Sequence, residues 1–213
     1  MALSNTQLID LLNPASTILL VVDKQYGYFE RQNIPTEGLK SAVVGIDAFI
    51  EVAREMKVPV IWTQMVENKD ESPEHLSFIM KQDEQYVPLT EKGTRSFEFY
   101  GDIVPNDNET VIEKHYYNAF AHTELLEAVR QHQAKSIIIV GGYASRCILA
   151  TTIGAVDAGL HVVIPPELVG NTDNTENEVS GTLNVIRSIY GFLLSKDEIL
   201  SAWSENTNYL KKV

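Results

Sequence analysis

Short, strongly apolar runs alternate along this chain with longer segments in which apolar residues return every three or four positions. The runs 17–23, 59–64, 110–114, 135–141 and 161–164 are rich in Ile, Val, Leu and Thr, and 192–195 is a shorter sixth. Each has strand length and is bounded by polar or turn-forming residues. Stretches such as Ile18-Leu-Leu-Val-Val22 and Ile137-Ile-Ile-Val140 show no polar alternation, which predicts strands buried on both faces. Between them, Leu39, Val43, Ile46, Phe49, Ile50 and Val52 fall near helical spacing within 38–56, with Thr36 as candidate N-cap. Thr123 can cap a helix over 124–130, Gly159 ends one over 147–158, and Gly191 ends one over 176–190. Lys196 opens a last helix through Trp203. The alternation predicts an α/β fold with a mostly parallel sheet of about six strands covered by helices.

One segment breaks the pattern. Residues 66–105 are polar, contain Pro73, Pro88 and Pro105, and offer a single short helical candidate over 74–81. A connection this long in a compact domain is usually functional or flexible. No internal repeat, low-complexity tract or second-domain boundary interrupts the chain, and 213 residues suit one domain. Lys and Arg number 17 against 29 Asp and Glu, a formal net charge of -12. That excess opposes nucleic acid, whose binding needs clustered cations, and repels anionic lipid head groups. No apolar run approaches the ~20 residues needed to cross a bilayer. Residues 1–10 lack the basic and apolar regions of a secretory signal, so a cytoplasmic protein with no membrane or nucleic-acid partner is expected.

A single cysteine, Cys147, allows neither an internal disulfide nor a cysteine-built zinc site. It is therefore a core residue, a redox thiol or a nucleophile. Ligands of open parallel sheets bind beyond the carboxyl ends of the strands. Asp23 closes the first strand, Lys114 closes the third, and Cys147 follows the fourth after the turn 141–146. A helix N-terminus and a nearby ammonium both favour the thiolate, so a lowered thiol pKa is expected. An aspartate can take the thiol proton and later return it to a leaving amine, while a lysine holds that carboxylate in place. Backbone N–H groups of Cys147 and of Tyr143 or Ala144 are candidate oxyanion donors. Each residue alone has an ordinary explanation as a small core side chain, a turn former or a solvated charge. Packing does not require all three at one sheet edge.

The same residues carry a resemblance. Asp23-Lys-Gln25-Tyr-Gly-Tyr28 is similar to the D-x-Q-x-x-F opening of isochorismatase-like hydrolases, Lys114 to Phe120 resembles their K-x-x-x-S-A-F, and Gly141 to Ile148 resembles their G-x-x-T-x-x-C-V. Thr151-Thr152 and Ala155 to Gly159 also fit, with order and spacing kept over most of the chain. The resemblance implies a three-layer, Rossmann-like domain with helices on both faces of the sheet. It also implies an Asp23–Lys114–Cys147 triad hydrolysing a small C–N bond through a thioester. A non-proline cis peptide is implied near Gly142-Tyr143 or Tyr143-Ala144, and candidate substrate contacts are Gln25, Tyr28, Tyr117 and Arg146.

Departures bear on the substrate. Ala144 replaces a threonine that could brace the nucleophile turn, Asn118 stands where serine is common, and Tyr28 takes a phenylalanine position. Arg146 could offer a cation to a carboxylate. Tyr26, Phe29, Tyr116 and Tyr143 add aromatic surface near the proposed crevice. Nicotinamidases of the family hold a metal with an Asp-x-His pair that this chain lacks, reading Thr63-Gln-Met-Val-Glu67 instead. His75 alone does not make a site, so neither metal nor organic cofactor is expected. A small-molecule substrate is the expected partner. Family relatives are often homodimers or homotetramers, and the tail 203–213 is a candidate contact between subunits. Two other readings stay open: vinyl-ether hydrolysis of the isochorismate type, and a non-catalytic, redox-sensing thiol. A nucleotide-binding module is disfavoured because Gly141-Gly-Tyr-Ala144 lacks G-x-G-x-x-G.

Overall fold

The computed structural model describes residues 3–30, 36–172 and 175–210. Among them, β1 (Thr17–Val22), β2 (Val60–Met65), β3 (Thr110–Lys114), β4 (Ser136–Gly142), β5 (His161–Ile164), β6 (Val169–Gly170) and β7 (Phe192–Leu193) form one sheet. Its order is β3-β2-β1-β4-β5-β7, with β6 beside the end of β4, and the strand pairs are parallel. All of β1, β2 and β4 is buried, as their unbroken apolar runs predict, whereas edge strand β3 exposes Val111 and Glu113. The two-residue strand β6 is too short to leave a period in the sequence, and it was not anticipated.

Helices α1 (Asn5–Leu11), α3 (Glu37–Glu55) and α8 (Lys196–Leu210) cover one face. There Leu19, Val21, Trp62, Ile138 and Val140 pack with Ile46, Phe49, Ile50 and Trp203. Neighbouring strand residues Ile18, Leu20, Ile61, Ile137 and Ile139 point the other way, onto α5 (Leu125–Gln131) and α6 (Leu149–Asp157) through Leu125, Val129 and Ala155. This is the expected three-layer α/β fold. A third cluster, Tyr28, Phe29, Leu39, Val43, Met65 and Tyr143, lies where β1, β2 and β4 end.

Several boundaries differ from expectation. A one-turn helix, α2 (Tyr26–Phe29), follows β1, and α8 runs beyond Trp203. Residues 211–213, the end of the tail expected at a subunit contact, lie outside the described residues. Thr36 precedes α3, but its hydroxyl is turned to the Phe29 carbonyl (2.7 Å) instead of capping. Segment 66–105 folds back over the sheet end and carries α4 (Glu74–Gln82), close to the expected short helix. The helical run holding Cys147 starts at Ala144, opening as a π turn over Ala144–Ile148 in which Ile148 N–H reaches back to Tyr143 O (3.2 Å). Helix α7 (Glu176–Val185) closes on a second π turn, Ile186–Tyr190.

Candidate active site

The chain moves outward from β1 through β2 to β3, then returns to β4 on the other side of β1. Such a reversal opens a crevice past the strand ends. Val22 pairs with both Thr63 and Gly141, and Met65 pairs with Lys114, so four strands deliver side chains to that crevice. Asp23 leaves β1 with φ +52, a left-handed conformation that Asp tolerates better than most residues. Gly141 has φ +114, and a Cβ there would lie 2.2 Å from Val22 O, so only glycine fits between the strands.

Asp23, Lys114 and Cys147 are brought together. Lys114 Nζ stands 2.7 Å from Asp23 Oδ2 and 3.3 Å from Cys147 Sγ, with the Asp23 and Lys114 side chains fully buried. The Thr63 hydroxyl donates to Asp23 Oδ1 (2.7 Å) and Asp23 N–H donates back to that hydroxyl (3.2 Å). Lys114 Nζ also donates to Tyr116 O at 3.1 Å. Burial alone would pull the lysine pKa down, but Asp23 and then Cys147 outweigh it and hold the ammonium above its ordinary value.

The thiol departs from expectation. Burial pushes Cys147 up to about 12; Lys114 pulls it down, while Asp23 adds to the rise. Desolvation wins because Cys147 is 4% exposed and its cationic neighbour is already paired with a carboxylate. Burial thus favours the protonated thiol in the resting site.

Cys147 lies at the floor of a cavity of about 200 Å³ that Tyr28, Tyr117, Tyr143 and Arg146 also line. Three of the four candidate substrate contacts, Tyr28, Tyr117 and Arg146, therefore line the cavity, with Arg146 exposed and its guanidinium 5.3 Å over the Tyr143 ring. Ala144 is fully buried beneath them. The peptide bond Gly142-Tyr143 is cis. The missing threonine hydroxyl at 144 is replaced by other braces: Ser145 N–H donates to Asn171 Oδ1 (3.3 Å), and Asn171 Nδ2 donates to Ser145 Oγ (2.9 Å).

Gln25 requires a correction. It is fully buried and spends its amide on backbone, donating to Met65 O (3.1 Å) and Phe97 O (3.0 Å) and accepting from Met65 N–H (2.8 Å). It ties β1 to β2 and to the long segment instead of lining the cavity. His75 is exposed on α4, and among the described residues no group of three or more His, Cys, Asp or Glu could hold a metal.

Two features escaped sequence reasoning. Thr63 orients Asp23, and Glu67 puts a carboxylate into the cavity wall. Glu67 is 8% exposed; its Oε2 accepts from the Tyr86 hydroxyl and Leu89 N–H, each at 2.8 Å. An acidic residue just past the end of β2 was the available signal.

A buried cysteine, lysine and aspartate thus meet at the topological switch point of an α/β domain, the place where open parallel sheets bind small ligands. Residues 17–191 match the Isochorismatase domain family, and the chain belongs to that family of hydrolases. The secreted isochorismatase effector Isc1 of Verticillium dahliae is 23% identical over 187 residues, covering 86% of this chain and 90% of that protein. The N-carbamoylsarcosine amidase of an Arthrobacter species is 27% identical over 76% of this chain, which spans 61% of the amidase's length. A cysteine hydrolase structure from Pseudomonas syringae pv. phaseolicola superposes with a TM-score of 0.82 at 17% identity, covering 91% of this chain and 95% of that one. No described helix is long and apolar enough to cross a membrane.

Proposed function

We propose that this chain hydrolyses a small C–N bond, in an amide, ureide or carbamoyl compound, through a thioester on Cys147. The observation that carries the reading is one ammonium, Lys114 Nζ, holding both the Asp23 carboxylate (2.7 Å) and the Cys147 sulfur (3.3 Å) at the floor of a small cavity. Amidase chemistry in a relative 27% identical supports it.

As Cys147 Sγ attacks the carbonyl carbon, its proton passes to Asp23, so no free thiolate is needed beforehand. The C–S bond forms and the carbonyl electron pair moves to oxygen, where the backbone N–H groups of Tyr143, Ala144 and Cys147 are the candidate donors. Collapse breaks the C–N bond, and Asp23 returns the proton to the leaving nitrogen. Water then attacks the thioester, gives a proton to Asp23, and releases the acid as sulfur regains that proton. Lys114 keeps its charge throughout and limits the cost of burying the carboxylate.

Ammonia release from a panel of amides, ureides and carbamoyl compounds, with Cys147→Ala beside the native chain, tests this. Loss of at least ~10³-fold in the variant, with an acyl adduct on Cys147 seen by intact mass in the native protein, is the expected result. Equal rates in both proteins reject Cys147 as nucleophile.

A further inference from the structure

The cavity is not chemically uniform. Away from Cys147 its wall is Met65, Leu76, Ile79, Met80 and Leu89, and the one carboxylate set among them is Glu67. No lysine, arginine or histidine among the described residues forms an ion pair with it. Its neighbours are hydrogen-bond donors that orient it without neutralising it: Tyr86 and Leu89 satisfy Oε2, and among the described residues Oε1 accepts a single long bond, 3.4 Å from the Tyr28 hydroxyl. Burial, and then the charge of Glu67, push the Tyr28 pKa well above the tyrosine range, so that hydroxyl stays protonated. A carboxylate buried without a cation is costly, and a ligand that supplies one recovers the cost.

We infer that Glu67 is a specificity-determining residue that receives the non-reacting end of the substrate, and that this end carries a cationic or amide N–H donor and not a carboxylate. The inference rests on the amide-hydrolase reading and names the substrate class within it. A second carboxylate in this cavity would lie against Glu67 with only an exposed Arg146 at the rim to offset it, and like charges at close range reject a ligand. A positive or N–H-bearing end would take the open acceptor capacity of Oε1.

Three compounds of one chain length separate the possibilities: β-alaninamide, succinamide and succinamate, ending in an ammonium, an amide and a carboxylate. Their equilibrium binding to Cys147→Ser is measured by calorimetry, and their hydrolysis by the native chain is followed by ammonia release. Glu67→Gln, which keeps an acceptor for Tyr86 and Leu89, is introduced into both proteins. Expected is at least ~10-fold tighter binding of the first two over succinamate, and a shrinkage of that ratio by a similar factor in Glu67→Gln. A purely structural role for Glu67 would weaken all three alike and leave the ratio in place, which overturns the inference. So does a preference for succinamate, or failure of all three to bind. Selective binding to Cys147→Ser without turnover by the native chain would instead count against the hydrolytic reading and leave the role of Glu67 standing.

Discussion

At Cys147 the position of one proton decides how the site behaves. A thiol pushed up to about 12 by burial is almost wholly protonated at neutral pH, so iodoacetamide should alkylate it slowly. The rate should keep rising through pH 10, whereas a plateau near pH 8 would mark an activated thiolate. Stability is linked to the same shift. The unfolded chain loses this proton near ~8.5, so the contribution is complete below that pH and falls as pH rises toward 12. Thermal melts from pH 8 to 11 should therefore decline more steeply for the native chain than for Cys147→Ala. Lys114→Met should cost about 3–5 kcal/mol by leaving Asp23 buried and unpaired. Adding Asp23→Asn should recover most of that loss in denaturant melts while activity stays absent, separating the pair's electrostatics from its chemistry. Asp23, Lys114 and Cys147 were legible in the sequence because each ends or follows a recognisable strand. Gln25 was misread because a motif position cannot tell whether an amide points into a cavity or onto neighbouring backbone.

Among the elements, the loop between β3 and α5 is held to α6 by one hydroxyl. Thr151 Oγ1 accepts from Ala119 N–H (3.1 Å) and donates to Tyr117 O (3.3 Å), fixing the residue that lines the cavity. Gly154 lies under the same loop, where a Cβ would come within 2.3 Å of Asn118 Oδ1, so α6 and the loop are closely fitted. Thr151→Val should cost about 1–3 kcal/mol through the unsatisfied Ala119 N–H, and it should raise KM more than it lowers kcat. Equal effects on both would place the loop in the chemical step. Strands and long helices were readable from periodicity. The π turn at Ala144–Ile148 was not, because its i to i+5 bonding leaves no distinct apolar period.

Over the whole molecule, the layer remote from the site is a foundation for it. Trp203 on α8 is fully buried, stacks on Phe49 of α3 with ring centroids 5.3 Å apart, and donates to Leu12 O at 3.0 Å. Trp203→Ala should cost about 3–5 kcal/mol, read as a fall in melting temperature. Activity per folded molecule should be nearly unchanged, because the sheet separates this layer from the cavity. A fall in kcat without a fall in stability would contradict that separation. The α/β class, the burial of β1, β2 and β4, and the meeting of three reactive groups at one sheet edge follow from local pattern, since uninterrupted apolar strands must be covered on both sides and parallel connections bring their carboxyl ends together. The carboxylate of Glu67, the backbone role of Gln25 and the upward shift of the thiol were decided only by tertiary structure. Gln25 and Glu67 depend on how segment 66–105 folds over the strand ends, and the thiol shift on how deeply the core packs around Cys147; burial depth is a property of packing that no spacing of residues encodes.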